Sequence, residues 1–273
     1  MKLNKPYLFG LLLTLCGFYA YAVESNATEI PTNQTVTVAT CFAQSDLNDA
    51  KAGSMDKAVE TLNYVGYAYD LKNPKKLLYR EEHKLQMLNS KPCSRTVKYF
   101  SAGDELIATK ENQYYQNAAA PSFHLQDLRS NYREQAHYRD DGSLVLSVQE
   151  NADAKIQSKR INILPDNLIV DAGFDDFVRR HWAELEEGKS VSFSFASAAR
   201  LDLIDFRLQQ KNIDKDNLVL SMRLNSRLIA WLLDPIELTY NRQTKRLMRY
   251  RGLSNIQDGE GNTYSTDIRY HFK

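Results

Sequence analysis

From Leu62 to Phe272 the apolar residues keep returning at every second position. "LNYVGYAYD" puts Val65, Tyr67 and Tyr69 on one face, and "SLVLSVQ" does the same with Leu144, Leu146 and Val148. "VSFSF" sets Val191, Phe193 and Phe195 against serines. "NLVLSMRLN" aligns Leu218, Leu220, Met222 and Leu224, and "IELTY" aligns Ile236, Leu238 and Tyr240. The final "YSTDIRYHF" aligns Tyr264, Thr266, Ile268, Tyr270 and Phe272. Side chains alternate across a strand, so this pattern predicts strands with one buried and one wet face, as in antiparallel sheet. "KNPK", "SAGD", "RDDG", "LPDN" and "DGEGN" separate the runs and carry turn chemistry. Sixteen tyrosines suit half-buried pleated surfaces.

Two stretches depart from this period. In "RLDLIDFRL", Leu201 and Leu203 share one parity while Ile204, Phe206 and Leu208 share the other. A bulge near Leu203 is the expected cause. In "DAGFDDFVRRHWAELEEGK", Phe174, Phe177, Val178, Trp182 and Leu185 fall at helical spacing. Asp171 suits the N-cap, Asp175 and Asp176 sit at the positive end, and Gly188 suits the stop. The expected fold is therefore mainly β (α+β): a curved antiparallel sheet or half-barrel of many strands, packed around one amphipathic helix at about 172–187.

The N-terminus bears on the compartment. Lys2 and Lys5 precede an apolar run from Tyr7 to Phe18, followed by Ala20-Tyr21-Ala22. A charged start, a short greasy core and small residues before the cut make a secretory signal peptide over 1–22. An uncleaved anchor would need a longer run. Lipidation at Cys16 would need a small residue where Leu15 stands. Residues 23–60 are polar, partly flexible and weakly patterned, and 61–273 read as one β-rich domain. No other segment is apolar enough for a membrane-spanning helix. Cys41 and Cys93 remain after cleavage, and two thiols in an exported chain most often pair. Such a bridge contributes roughly 4 kcal/mol by loop entropy. The chain has 35 basic and 34 acidic residues, and removing Lys2 and Lys5 leaves 33 against 34. A chain so balanced argues against non-specific nucleic-acid binding.

Local motifs for chemistry are scarce. His83, His124, His137, His181 and His271 show no HxH or HxxxH spacing, and there is no CxxC, so no metal site or cofactor is expected. Ser54-Met55-Asp56-Lys57 matches Ser-x-x-Lys by spacing alone, without a Lys-Thr-Gly partner. Asp171, Asp175, Asp176 and His181 gather around the helix, where capping and dipole compensation account for them better than acid–base work.

Two candidate surfaces stand out. In "RLIAWLLDPIEL", Trp231 lies in the most apolar stretch after the leader. With Phe174, Phe177, Trp182, Phe193 and Phe195 it either lines a cavity for an apolar small molecule or lipid, or fills a dry core. "LTYNRQTKRLMRYRG" crowds five basic residues into ten positions. It aligns with "YDLKNPKKLLYR" as a second strand–turn–strand unit, a weak internal repeat. Arg249 and Arg251 share one face there and Arg246 takes the other, so the basic patch reduces to Arg249 and Arg251 as contacts for a protein partner or a lipid headgroup.

"YAYDLKNPKKLLYREEH", "IVDAGFDDFVRRHWAELEEGKSVSFSFASAARLDLIDFRL" and "WLLDPIELTYNRQTKRLMRYRGLSNI" together resemble a family of exported bacterial proteins of unknown function. That resemblance implies a Gram-negative periplasm and supplies no catalytic motif. In architecture alone the pattern is similar to half-barrel lipoprotein carriers. The expected function is a periplasmic, non-enzymatic binding protein holding a lipid or other apolar ligand between sheet and helix. An envelope interaction or scaffold protein with a dry core is the alternative. A hydrolase with dispersed catalytic residues is a further one, favoured if His83 or His181 meets a carboxylate in a polar cleft.

Overall fold

The computed structural model describes residues 59–115, 117–225 and 235–273. The leader, Cys16, Cys41, the Ser54–Lys57 motif and Trp231 lie outside them.

The alternating segments form a single sheet of fifteen strands. The N-terminal half is a meander: β1 (Val59–Asp70), β2 (Leu77–Leu88), β3 (Lys91–Ser101), β4 (Leu106–Gln113), β5 (Ser122–Asp127), β6 (Arg133–Tyr138), β7 (Leu144–Gln149) and β8 (Gln157–Ile161). After β9 (Leu168–Val170) come α1 (Phe174–Arg180) and α2 (Trp182–Glu186). The second meander is β10 (Val191–Ser197), β11 (Asp202–Ile213), β12 (Asn217–Leu224), β13 (Ile236–Asn241), β14 (Leu247–Gln257) and β15 (Thr263–Phe272). Pairing of β1 with β15 joins the halves, and β8 and β9 are the two edges. Every pairing is antiparallel except that of β9 with β10.

Most strands alternate as expected, with Leu144, Leu146 and Val148 buried in β7 and Leu218 and Leu220 in β12. In β1 the buried face is not the one carrying Val65, Tyr67 and Tyr69. It carries Tyr64, Gly66 and Ala68. The small residues there leave room for neighbouring rings: a Cβ on Gly66 would lie 2.8 Å from the Tyr270 ring.

The break in parity at "RLDLIDFRL" has a different cause from the expected bulge. β10 and β11 pair without interruption from Val191↔Leu208 to Ser197↔Asp202, and the register shift in β11 lies farther on, at Gln210/Asn212. The two parities serve two cores. Leu168, Val170, Ala196, Leu201 and Leu203 join one that is filled by Tyr79, Tyr99, Leu125, Leu144 and Leu146. Ile169, Val191, Phe193 and Leu208 join another, under the helices. β9 thus buries both faces and β10 does so in part, unlike the half-wet strands the alternation predicts, while in β11 only Leu208 is buried. A short 3₁₀ turn, Ala198–Arg200, leads to Leu201 in left-handed conformation and starts β11. Lys159 of β8 pairs with Asp202 of β11 at 2.7 Å, an exposed side-chain contact between the two ends of the curved sheet.

The helix is two short pieces. A 3₁₀ turn, Asp171–Gly173, precedes α1, and a non-helical His181 separates α1 from α2. The N-cap position falls on Val170, and Asp171, the first residue of the turn, directs its carboxylate inward to Lys110 and Asn112. Gly173 packs so close to the β4–β5 connection that a Cβ would sit 1.9 Å from the Ala119 carbonyl oxygen. The backbone N–H of Val170 donates to that same oxygen at 3.0 Å.

The two aligned hairpins share their turn chemistry. Asp70 Oδ1 accepts from the backbone N–H of Asn73, and Asn241 Oδ1 accepts from that of Thr244, three residues on in both cases. A register shift opens each hairpin, at Ala68/Tyr69 and at Thr239/Tyr240. Both facts fit the repeat read from the sequence.

Candidate functional site

The aromatic residues expected to surround a ligand pack on one another. Phe193 meets Phe177 at 5.2 Å, Phe174 at 5.6 Å and Phe206 at 5.7 Å, and Phe195 meets Phe206 at 6.3 Å. Trp182 stands edge-on to Tyr240 at 6.1 Å, with the Lys245 ammonium over its ring. With Val178, Leu185 and Leu208 fully buried beside them, these side chains pack together as a hydrophobic cluster between helices and sheet.

Arg249 and Arg251 lie on the outer face. Arg249 donates twice to Asp267, at 2.6 and 2.7 Å, and Arg269 reaches the same carboxylate at 2.9 Å. Arg251 lies 3.6 Å from Glu237. These partners offset the charges of the expected patch. Cys93 is buried on the inner face of β3, while Cys41 is not among the described residues.

The inner face of the curved sheet instead carries polar residues on buried positions. In β2, Glu81 and His83 occupy the same phase as Tyr79 and Leu85. Arg95 shares the phase of Val97 and Tyr99 in β3, and Lys110 and Asn112 share that of Ala108 in β4. Alternation alone marked these sites: each is a charged or polar residue at the buried parity of its strand. Of these residues the sequence singled out His83 alone, because no local motif joins the others.

The first turns after β9 supply the counter-charges. Asp171 accepts from Lys110 Nζ at 3.0 Å and from Asn112 Nδ2 at 2.8 Å. Asp175 accepts from Arg95 at 3.2 Å and from the Tyr240 hydroxyl at 3.1 Å. Burial pushes both carboxyls up, but the cations outweigh it: Lys110 holds Asp171, and Arg95 with Arg179 holds Asp175, below the ordinary carboxylate value. On the wet face, Asp176 pairs with Arg180 and His181 with Glu184, as the sequence led one to expect of that side.

His83 and Glu81 share a 2.8 Å hydrogen bond between Nε2 and Oε2, and Tyr64 stacks on the imidazole at 4.3 Å. Burial lowers the pKa of His83 despite Glu81, so the ring is neutral near pH 7. His83 Nδ1, Arg95 Nε and the Tyr114 hydroxyl have no hydrogen-bond partner among the described residues. Burial also raises the Tyr114 hydroxyl to about 12, so it stays a neutral donor.

This interior opens at a cleft of about 80 Å³. Its walls are Leu62, Leu85, Leu247 and Phe272 on the apolar side, and His83, Arg95, Asp175, Arg179 and Arg246 on the polar side, with Tyr64 and Tyr270 between. The Arg246 guanidinium lies 4.9 Å over the Phe272 ring. A second cleft, of about 90 Å³, lies among surface turns at Asp127, Arg129 and Asp258. None of the described candidate aromatics, Phe174, Phe177, Trp182, Phe193 and Phe195, lines either one. Both are well below the 300–1,000 Å³ that encloses a drug-sized ligand. Among the described residues no group of three or more His, Cys, Asp or Glu is placed to hold a metal, and no helix is long and apolar enough to cross a membrane.

No family model matches the chain, and no curated protein matches it. A crystal structure of a β-barrel-like protein, a domain of unknown function from Brucella abortus, superposes with a TM-score of 0.44 at 9% identity. The match covers 80% of this chain and 97% of that one.

Proposed function

We propose that the chain is exported to a bacterial periplasm, with cleavage after Ala22, and acts there as a non-enzymatic binding protein. Its ligand is held at the cleft beside Arg95. One observation carries the reading: the helix–sheet interface is filled with interlocked rings, while the adjoining cleft is open, aromatic-walled and lined by three guanidinium groups. An apolar or lipidic ligand then lies along Leu62, Leu247 and Phe272 and inserts only its tip, since about 80 Å³ admits a small group and not a chain. Native mass spectrometry of protein purified gently from a periplasmic fraction tests this, and N-terminal sequencing of the same sample checks the cut. A retained small molecule, lost on Tyr270→Ala, is the expected result. A bare mass would replace this reading with a dry-core envelope scaffold. In that case β8, whose residues are nearly all exposed, offers the docking edge.

The Glu81–His83 pair favours a second reading, a hydrolase with dispersed catalytic residues. A neutral imidazole oriented by a carboxylate is suited to take a proton from water. The described lining of the cleft includes no Ser, Thr or Cys nucleophile, so water would have to attack directly. A panel of ester and phosphoester substrates decides: turnover abolished by His83→Gln supports it, and no turnover by the native protein removes it.

A further inference from the structure

We infer that the cleft beside Arg95 is an anion site, and that the group it takes is a carboxylate or phosphate carried on a short apolar stem. The inference rests on the reading above, that this cleft is where ligand is held, and supplies the chemistry of the inserted group.

Charge is the first ground. Arg95, Arg179 and Arg246 line the cleft, and Asp175 is the one carboxylate among its described lining residues. Asp175 is already engaged by Arg95 and Tyr240 and is ionised. His83 is neutral, but the Glu81 carboxylate stands 2.8 Å behind its Nε2. Counting Glu81 with Asp175, three positive charges against two negative leave an excess of one, at a concave surface with low-dielectric walls that focus the field. Elsewhere on the molecule many arginines have a carboxylate of their own: Arg249 with Asp267, Arg242 with Glu186, Arg180 with Asp176. Arg179 and Arg246 have none within 4.0 Å among the described residues.

Placement is the second ground. Arg95 is only 8% exposed and sits at the floor, fixed by Asp175. Arg246 is half-buried and held over Phe272, while Arg179 projects from the end of α1 as an exposed side chain. A floor cation and two rim cations suit an anion with several acceptor oxygens, because guanidinium forks match carboxylate and phosphate geometry. A pre-positioned cation also loses less conformational freedom on binding.

Size and lining are the third. The volume suits a headgroup of a few heavy atoms. Leu62, Leu247 and Phe272 stand beside the cations, so the atom next to the anionic group meets an apolar wall. A bare inorganic anion would use the arginines and leave that wall unused.

Titration calorimetry on the mature chain, at low and at high salt, tests this with four probes: inorganic phosphate, hexyl phosphate, hexanoate and hexanol. Hexyl phosphate is expected to bind, hexanoate more weakly and hexanol not at all, with affinity falling as salt rises. Arg246→Gln and Arg179→Gln should each weaken hexyl phosphate about tenfold, and the double variant should abolish its binding. Neither residue is fully buried, so thermal melts of the variants should match the native protein. Tighter binding of hexyl phosphate than of inorganic phosphate assigns an amphiphile headgroup, and equal binding assigns the free ion. Hexanol binding as well as hexyl phosphate overturns the anion chemistry but keeps the cleft as a binding site. Undiminished binding by the double variant overturns the site assignment. Failure of all four probes overturns the inference, and the mass measurement on purified protein then judges the binding reading separately.

Discussion

Glu134 shows how a single residue couples this interior to pH. It lies on the inner parity of β6, where Tyr132 donates to its Oε1 at 2.9 Å. Burial raises its carboxyl to about 7, against the opposing pull of the Tyr132 hydrogen bond and Lys110. A carboxyl raised in the folded state binds its proton more tightly there than in the unfolded chain. Its contribution is therefore fully present below about 4.5 and is lost as pH rises through about 7. The loss is on the order of 3 kcal/mol. Asp171 and Asp175 run the other way: their lowered values stabilise above 3.8, and that part is lost as pH falls through the folded values. Glu134→Gln should raise the urea midpoint at pH 8 and leave it nearly unchanged at pH 4. An equal shift at both would show that Glu134 does not titrate as described. The sequence marks Glu134 only as one more charged residue; its burial follows from β5 and β7 on either side.

At the scale of an element, the helical segment was legible in its apolar spacing but not in its polar face. Phe177, Val178, Trp182 and Leu185 are all buried, as the 3.6-residue period requires. Phe177→Ala should cost about 3–5 kcal/mol, read as a lowered urea midpoint with unchanged slope. The spacing did not reveal the break at His181, because both pieces keep the stripe. Nor did it reveal that Asp171 and Asp175 serve Lys110 and Arg95, since those partners lie on strands sixty to eighty positions earlier. Gly173 marks how tightly the segment is seated. Gly173→Ala drives a methyl into the Ala119 carbonyl and should destabilise by about 3 kcal/mol or more. A melt within a degree of native would mean that the contact is looser than described.

For the whole molecule the decisive pairing is β1 with β15, from Tyr64↔Phe272 to Asp70↔Thr266. It unites two meanders that are otherwise built from local hairpins. Joining the two ends of so long a segment carries a large loop-closure cost, so this contact should form late in folding. Removing residues 263–273 strips the partner of both β1 and β14 and deletes buried Thr266 and Ile268. The truncated chain should lose its single cooperative transition, and amide exchange should show the β15-facing amides between Tyr64 and Asp70 unprotected. Retained protection there would mean that the halves hold together without β15.

The sequence by itself determined the strands, the amphipathic helical segment and the mainly β class, because burial period is a local property of the chain. It also carried the turn chemistry of the two aligned hairpins in Asp70 and Asn241. Tertiary structure decided what faces what. It buried both faces of β9, matched Arg249 and Arg251 to acids on neighbouring strands, and packed Phe174, Phe177, Phe193 and Trp182 between helices and sheet. It also gathered Arg95, Arg179 and Arg246 from β3, α1 and the β13–β14 turn into one cleft. No local pattern encodes such a meeting, because the electrostatics of a site depend on distances that only the folded sheet sets.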